Sequence, residues 1–196
     1  MKTLGITGGI GSGKTTVCRM LEELGARVFY ADEEGKRILR EDPDVRQEIV
    51  DAFGEASYGP DGAPDRKYLA KMVFSDAGKL ERINAIIHPR VFKRFEKAKA
   101  EFEGVPLLVM EAALIFETGG DKYLDAVAVV DATLDLRIRR VVERDDASPE
   151  QVTARLSHQL APDELKRRAD FVIENDGDLV ALRGRVEEVF GKMSKE

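Results

Sequence analysis

Short apolar runs alternate with amphipathic helical segments along the chain. The first run, residues 3–7, stops at a glycine, and residues 14–24 then place Val17, Leu21 and Leu24 on one face of a helix. Further apolar runs cover residues 26–30, 105–110, 126–130 and 171–174. The runs at 105–110 and 126–130 are continuous rather than alternating, which is typical of parallel strands covered on both faces. These patterns predict five strands separated mainly by helices.

The order of strand and helix predicts an α/β fold, a five-stranded parallel sheet flanked by helices with right-handed crossovers. Residues 42–104 depart from this order, because polar helices alternate there with turns such as YGPDGAPDRK. A helical lobe inserted after the second strand is therefore expected. Residues 137–169 form a second departure, where Ser148 and Pro149 predict the start of one of two short helices. The predicted core consists of residues 1–41, 105–136 and 170–196.

Composition and charge limit the classes of function. The 196 residues carry a net charge of −6, so the chain has no global positive field of the kind that drives sequence-independent binding to nucleic acid. The single cysteine, Cys18, cannot form an internal disulfide, and the N-terminus reaches glycine before a signal-peptide core could form. No apolar run approaches the roughly 20 residues of a membrane span. A soluble, cytoplasmic protein without nucleic-acid or membrane partners is expected.

The most specific motif is GITGGIGSGKTT at residues 5–16. Gly8, four further residues and then Gly13-Lys14-Thr15 match the phosphate-loop pattern, with a predicted strand before it and a helix after it. Glycines allow positive φ angles that turn successive N–H groups toward phosphate oxygens, and the helix N-terminus adds its own. The motif predicts binding of a nucleoside triphosphate, and a glycine-rich turn without a ligand is the less favoured alternative. The expected nucleotide contacts are Gly8, Gly9, Ile10, Gly11, Ser12, Gly13, Lys14, Thr15, Thr16 and Arg144.

A phosphate loop is shared by switches, motors and kinases, so other residues must distinguish among these classes. Lys14 is expected to reach the β and γ phosphates, and the Thr15 hydroxyl to bind Mg²⁺. Asp32 follows the second predicted strand, where a general base could meet an acceptor hydroxyl; capping of the next helix is the alternative. Arg140 and Arg144 share a helix face and could offset phosphoryl charge, or could form a solvated basic face. The set favours a small-molecule kinase.

Ordered motifs along nearly the whole chain resemble the dephospho-coenzyme A kinase family. They are TGGIGSGKT at 7–15, YAD at 30–32, DGAPDR at 61–66, HP at 88–89, ALIFE at 113–117, RVVERD at 140–145, RLSHQ at 155–159 and ADFVIEN at 169–175. Two positions depart from the family pattern. Tyr30 replaces the first acid of its D-A-D motif, and Ala113 replaces the proline of its P-L-L-F-E motif.

The resemblance implies transfer of the ATP γ-phosphoryl group to the ribose 3′-hydroxyl of dephospho-coenzyme A. It implies that Asp32 is the base, that Lys14 and Arg140 assist catalysis, that residues 42–104 bind the substrate and that residues 137–169 form a lid. The substrate contacts that it implies are Asp32, Arg66, His88, Leu114 and Glu117. A packed position at the end of an apolar helix is the alternative for His88.

Two other functions stay open at this point. A kinase for a nucleoside, a nucleotide or a shikimate-like alcohol would keep the loop and the lid, but should lack the ordered His88-Pro89 and Ala169-Asp170 elements. A non-catalytic nucleotide switch would need a second segment linked to Mg²⁺ and usually a guanine-reading N-K-x-D, and the sequence contains neither. No pattern fixes the oligomeric state, and a monomer is favoured.

Overall fold

The structure is a computed structural model that describes residues 1–74, 76–145, 148 and 159–194. The helix predicted from Pro149 onward and the RLSH part of the motif at 155–159 lie outside these residues. The elements are β1 (Lys2–Thr7), α1 (Lys14–Glu23), β2 (Arg27–Tyr30), α2 (Ala31–Glu41), α3 (Pro43–Phe53), α4 (Arg66–Phe74), α5 (Ala77–Glu101), β3 (Leu107–Glu111), β4 (Ala126–Asp131), α6 (Leu134–Asp145), α7 (Pro162–Arg168), β5 (Phe171–Glu174) and α8 (Leu179–Ser194). Within the described part of the chain, no helix combines the length and apolarity needed to cross a bilayer.

The five strands form one sheet in the order β2-β3-β1-β4-β5. Every neighbouring pair in it is parallel. β1 is central, with β3 on one side and β4 on the other. The loop that follows β1 therefore starts at the middle of the row of carboxyl-terminal strand ends. The predicted α/β fold with a five-stranded parallel sheet is confirmed.

Apolar side chains cover both faces of the sheet, which explains the continuous apolar runs. In β4, Ala126, Ala128 and Val130 join a core with α1 and α8. The alternate residues Val127 and Val129 pack on the opposite face with a cluster that also contains Ile115, Phe116 and Leu165. A strand that buries both of its side-chain rows has no polar position to interrupt its sequence.

The chain divides into two compact units, Met1–Tyr30 with Ala98–Glu196, and Ala31–Lys97. The second unit contains α2, α3, α4 and most of α5. Ion pairs join α5 to its neighbours in this unit, Arg94 to Glu34 of α2 at 2.8 Å and Arg90 to Glu48 of α3 at 2.5 Å. The Tyr58 hydroxyl donates to the Leu39 carbonyl at 2.9 Å, which ties the loop after α3 to α2.

The prediction that a helix ends at His88 is wrong, because α5 continues through Pro89 to Glu101. A proline inside a helix lacks one N–H donor and usually bends or ends the helix. Ile86, Val91 and Phe95 are buried on both sides of the proline. Tertiary packing thus outweighs the local preference of proline.

Candidate active site

The glycine loop between β1 and α1 has the backbone of a phosphate cradle. Gly8, Gly11 and Gly13 have φ angles of 140°, 79° and 99°, a region that favours glycine. Gly13 is the N-cap of α1 and, as a glycine, has no side chain that could cap the first N–H groups of the helix. The first N–H groups of a helix have no partner within it, so this end of α1 presents donors and a positive dipole to an anion.

Both predicted catalytic cations, Lys14 and Arg140, lie at this loop. Lys14 Nζ donates to the Gly8 carbonyl at 2.9 Å. Arg140 donates from Nη1 to the Ser12 carbonyl at 3.5 Å and from Nη2 to the Asn175 carbonyl at 3.0 Å. Arg144, one turn further along α6, is exposed and donates to Asp145 beside it, from Nε at 2.7 Å. The structure therefore brings Arg140 to the loop and pairs Arg144 with its neighbour.

The loop and the start of α1 carry three hydroxyl side chains, those of Ser12, Thr15 and Thr16. Thr15 lies exposed in the first turn of α1, and a hydroxyl oxygen is the kind of hard ligand that Mg²⁺ accepts. Ser12 is 1% exposed, and among the described residues its Oγ has no hydrogen-bond partner. Thr16 donates its N–H to the Gly13 carbonyl at 3.0 Å and so belongs to the first turn of the helix.

Sequence reasoning missed Glu111, the last residue of β3. Its register partners are Ile6 in β1 and Tyr30 in β2, so Glu111 lies at the carboxyl-terminal end of the sheet, where the glycine loop also starts. Burial raises the pKa of the Cys18 thiol, Glu111 raises it further, and Lys14 lowers it. An acid directly after the apolar run 105–110 was the available signal. The charges of Glu111 and Lys14 thus both influence the thiol of Cys18, which is buried on α1.

The predicted base Asp32 and two predicted substrate contacts lie in the second unit. α2 begins at Ala31, so Asp32 is an exposed residue inside its first turn rather than the capping residue before it. His88 is half-buried in α5; burial lowers its pKa, and the Asp32 carboxylate acts in the opposite direction. Arg66 is the exposed first residue of α4. The unit therefore brings Asp32 and His88 into electrostatic contact.

Leu114 and Glu117 belong to the turn after β3. The Thr118 hydroxyl donates to the Leu114 carbonyl at 2.8 Å, which closes this turn. Glu117 Oε1 accepts from the Leu160 N–H at 2.9 Å. The preceding residue, Gln159, accepts from the Ile10 N–H at 3.0 Å through Oε1. Glu117 therefore supports the segment that contacts the glycine loop.

The sheet order, the glycine loop and Lys14 at the start of α1 define a phosphate-loop kinase fold. A family model described as dephospho-CoA kinase matches residues 2–181. A relative from Salinibacter ruber named dephospho-CoA kinase is 57% identical over 192 residues, 97% of this chain and 96% of the relative. The chain belongs to the dephospho-CoA kinase family.

Solved structures agree with this membership. A crystal structure from Thermus thermophilus has a TM-score of 0.86 and 35% identity, and the match covers 98% of this chain and 97% of that one. The dephospho-CoA kinase of Campylobacter jejuni has a TM-score of 0.71 and 26% identity over 100% and 98% of the two chains. The structural match to the dephospho-CoA kinase of Campylobacter jejuni covers the whole chain and thus includes residues 2–181 of the family match.

Proposed function

We propose that this chain transfers the γ-phosphoryl group of ATP to the ribose 3′-hydroxyl of dephospho-coenzyme A, the final step of coenzyme A biosynthesis. The observation that carries the proposal is the glycine loop with Lys14 at the start of α1, in a chain that belongs to the dephospho-CoA kinase family. Membership of this family favours ATP as the donor. The cytoplasm, where both small molecules are expected, is the proposed location.

Phosphate binding is assigned to the loop from Gly8 to Thr16. The N–H groups at the start of α1 bind phosphate oxygens, and Lys14 adds a positive charge at the β and γ phosphates. Mg²⁺, when bound with ATP, neutralises charge on these oxygens. The Thr15 hydroxyl and the Glu111 carboxylate offer the oxygen ligands that would hold it. Arg140 stabilises charge that develops on the transferring group.

The activation of the acceptor hydroxyl is assigned to Asp32. An exposed carboxylate can accept the proton of an alcohol as the oxygen attacks phosphorus, which is the general-base role in small-molecule kinases. The lobe 42–104 binds the remainder of dephospho-coenzyme A, with Arg66 and His88 as contacts. Arg66 can pair with the diphosphate of this substrate because guanidinium groups bind phosphate oxygens in a fork. Leu114 and Glu117 complete the proposed substrate contacts.

Residues 137–169 are proposed as a lid over ATP. α6 supplies Arg140 at the loop and Arg144 one turn away. Closure of such a segment excludes water and strengthens charge contacts around the phosphates. A closed lid would also limit transfer of the phosphoryl group to water.

A coupled assay of ADP release tests the function directly. Dephospho-coenzyme A, adenosine, a nucleoside monophosphate and shikimate are each offered with ATP and Mg²⁺. Only dephospho-coenzyme A should give rapid release, and phosphorus NMR should place the new phosphate on the ribose 3′ position. Faster turnover with another acceptor would reassign the substrate, and Lys14→Ala controls for contaminating kinases.

A further inference from the structure

Arg137 of α6 is a buried arginine that packs against the glycine loop. It is 6% exposed, and its Nε donates to the Ile10 carbonyl at 3.0 Å. Burial lowers the pKa of Arg137, while the Asp131 carboxylate acts in the opposite direction. Removing a guanidinium from water is unfavourable unless it gains specific partners. The contacts of this guanidinium should therefore explain why it is buried.

Gly9, which faces Arg137, differs from the other glycines of the loop. Gly8, Gly11 and Gly13 have positive φ angles, and Gly9 does not. Its backbone is therefore compatible with an L-residue. A Cβ at position 9 would lie 1.9 Å from Nη2 and 2.3 Å from Cζ of Arg137, well inside van der Waals contact. In this structure the guanidinium of Arg137, and not a positive φ angle, leaves no room for a side chain at position 9.

The peptide groups of Ile10 are held from two directions. Its carbonyl accepts from Arg137, and its N–H donates to Gln159 Oε1 at 3.0 Å. Ile10 lies in a turn that is closed by the Ser12 N–H, which donates to the Gly9 carbonyl at 3.0 Å. Arg137 and Gln159 thus contact both peptide groups of Ile10 in the first half of the loop. A binding loop that is ordered in advance loses less conformational entropy on binding.

We propose that Arg137 is a positioning residue for nucleotide binding, whose guanidinium occupies the space beside Gly9 and, with Gln159, holds the Ile10 peptide groups in the shape that accepts the triphosphate. The proposal rests on the proposed function, because it concerns the same loop. Position 9 must then be glycine because any larger residue would collide with the Arg137 guanidinium. The competing explanation is that Gly9 lets the nucleotide itself approach the backbone.

A double-mutant cycle on ATP affinity separates these explanations. The variants are Gly9→Ala, Arg137→Gln and their combination, and the dissociation constant is measured by titration calorimetry without an acceptor. Glutamine is informative because its Nε2 is as many bonds from Cα as the arginine Nε. It can keep the bond to the Ile10 carbonyl while it removes the Nη groups that a Cβ at position 9 would strike.

Gly9→Ala alone should weaken ATP binding by about tenfold or more, but by less than about threefold in the Arg137→Gln background. Arg137→Gln alone should stay within about threefold of the parent chain, whereas Arg137→Ala, which has no donor, should lose about tenfold. Gly184→Ala is the matched control, because a Cβ there meets nothing within 4 Å. It should leave ATP affinity unchanged.

Equal weakening by Gly9→Ala in both backgrounds would overturn the proposal and assign Gly9 to the nucleotide. No effect of Gly9→Ala in the parent chain would overturn it as well, since Arg137 would then move aside freely. If Gly9→Ala fails to fold and the double variant folds, the relief of the clash supports the proposal. Failure of the parent chain to bind ATP would instead contradict the proposed function.

Discussion

Asn175 donates through Nδ2 to the Ser12 carbonyl at 2.7 Å, a buried hydrogen bond between residues 163 positions apart. Gly13 leaves room for this contact, because a Cβ there would lie 2.1 Å from Asn175 Nδ2. Arg140 donates to the carbonyl groups of both Ser12 and Asn175. The residue after β5 therefore supports the glycine loop from outside the phosphate-binding motif.

Asn175→Ala should reduce the free energy of unfolding by about 1–3 kcal/mol, because the buried Ser12 carbonyl loses its closest donor. ATP affinity should fall as well. Urea unfolding and calorimetry measure the two effects. Asn84→Ala, at a half-buried asparagine of α5, is the control and should change stability by less than about 0.5 kcal/mol. Equal losses in the two variants would contradict a specific role for Asn175.

Lys14→Ala should reduce phosphoryl transfer by several orders of magnitude, because the charge proposed to act on the β and γ phosphates is lost. The free energy of unfolding should fall by only about 1 kcal/mol, the typical net contribution of a hydrogen bond such as the one from Lys14 to the Gly8 carbonyl. Steady-state kinetics and urea unfolding are the measurements. Lys192→Ala removes an exposed lysine paired with Glu188 and should leave kcat unchanged. Near-normal turnover in Lys14→Ala would refute the phosphate-loop assignment.

Asp32→Asn should reduce kcat by roughly 10²- to 10⁴-fold while ATP affinity stays within experimental error, as expected for loss of a general base. Glu33→Gln is a close control, because Glu33 lies in the same first turn of α2 and is also exposed. Both changes remove a negative charge near the helix N-terminus and should have similar small effects on stability. If kcat falls equally in both variants, Asp32 is not the base.

The sheet was predictable from the sequence because its strands are short, apolar on both faces and separated by helices. β5 occupies residues 171–174 as predicted, and β4 extends one residue beyond the predicted run. Pro89 misled the prediction of α5, because local preference was weighed without the packing of Ile86 and Val91. The local sequence sets which secondary structure a segment prefers. Where this preference conflicts with tertiary packing, the packing determines the structure.

The glycine loop itself was predictable, but its supports were not. Arg137 and Ile10 are 127 positions apart, and Gln159 and Ile10 are 149 positions apart. Nothing in the spacing of a single sequence relates such residues. Glycines were interpreted as space for phosphate, whereas Gly9 and Gly13 also make space for the side chains of Arg137 and Asn175.

Arg140→Ala should reduce kcat more than it raises the KM for dephospho-coenzyme A, because the contact proposed for it with the transferring group should strengthen in the transition state. Stability should also fall, by about 1–3 kcal/mol, since Arg140 donates to the carbonyl groups of Ser12 in the glycine loop and Asn175 after β5. Kinetics at saturating ATP separate the two constants, and Arg19→Ala, at an exposed arginine of α1, is the control. A higher KM with unchanged kcat would assign Arg140 to ground-state binding.

His88 should make the protein less stable at acidic pH. Its pKa is lowered by burial from the usual 6.5, so the unfolded chain binds this proton more tightly than the folded chain does. The corresponding stability is fully present above the unfolded pKa and is lost as the pH falls through the folded pKa. Between about pH 8 and about pH 5, the parent chain should therefore lose more unfolding free energy than His88→Gln. Equal losses in the two proteins, which both retain His158, would contradict this.

The pKa of His88 should also report on the Asp32 carboxylate, because this charge raises it against the effect of burial. Asp32→Asn removes the charge, so the pKa of His88 should fall further below its usual range. An NMR titration of the His88 ring protons measures the change, and Glu33→Gln serves as the control because His88 is not expected to sense its charge. An unchanged His88 pKa in Asp32→Asn would separate the two residues electrostatically, and the proposal that both face the same substrate would lose its structural support.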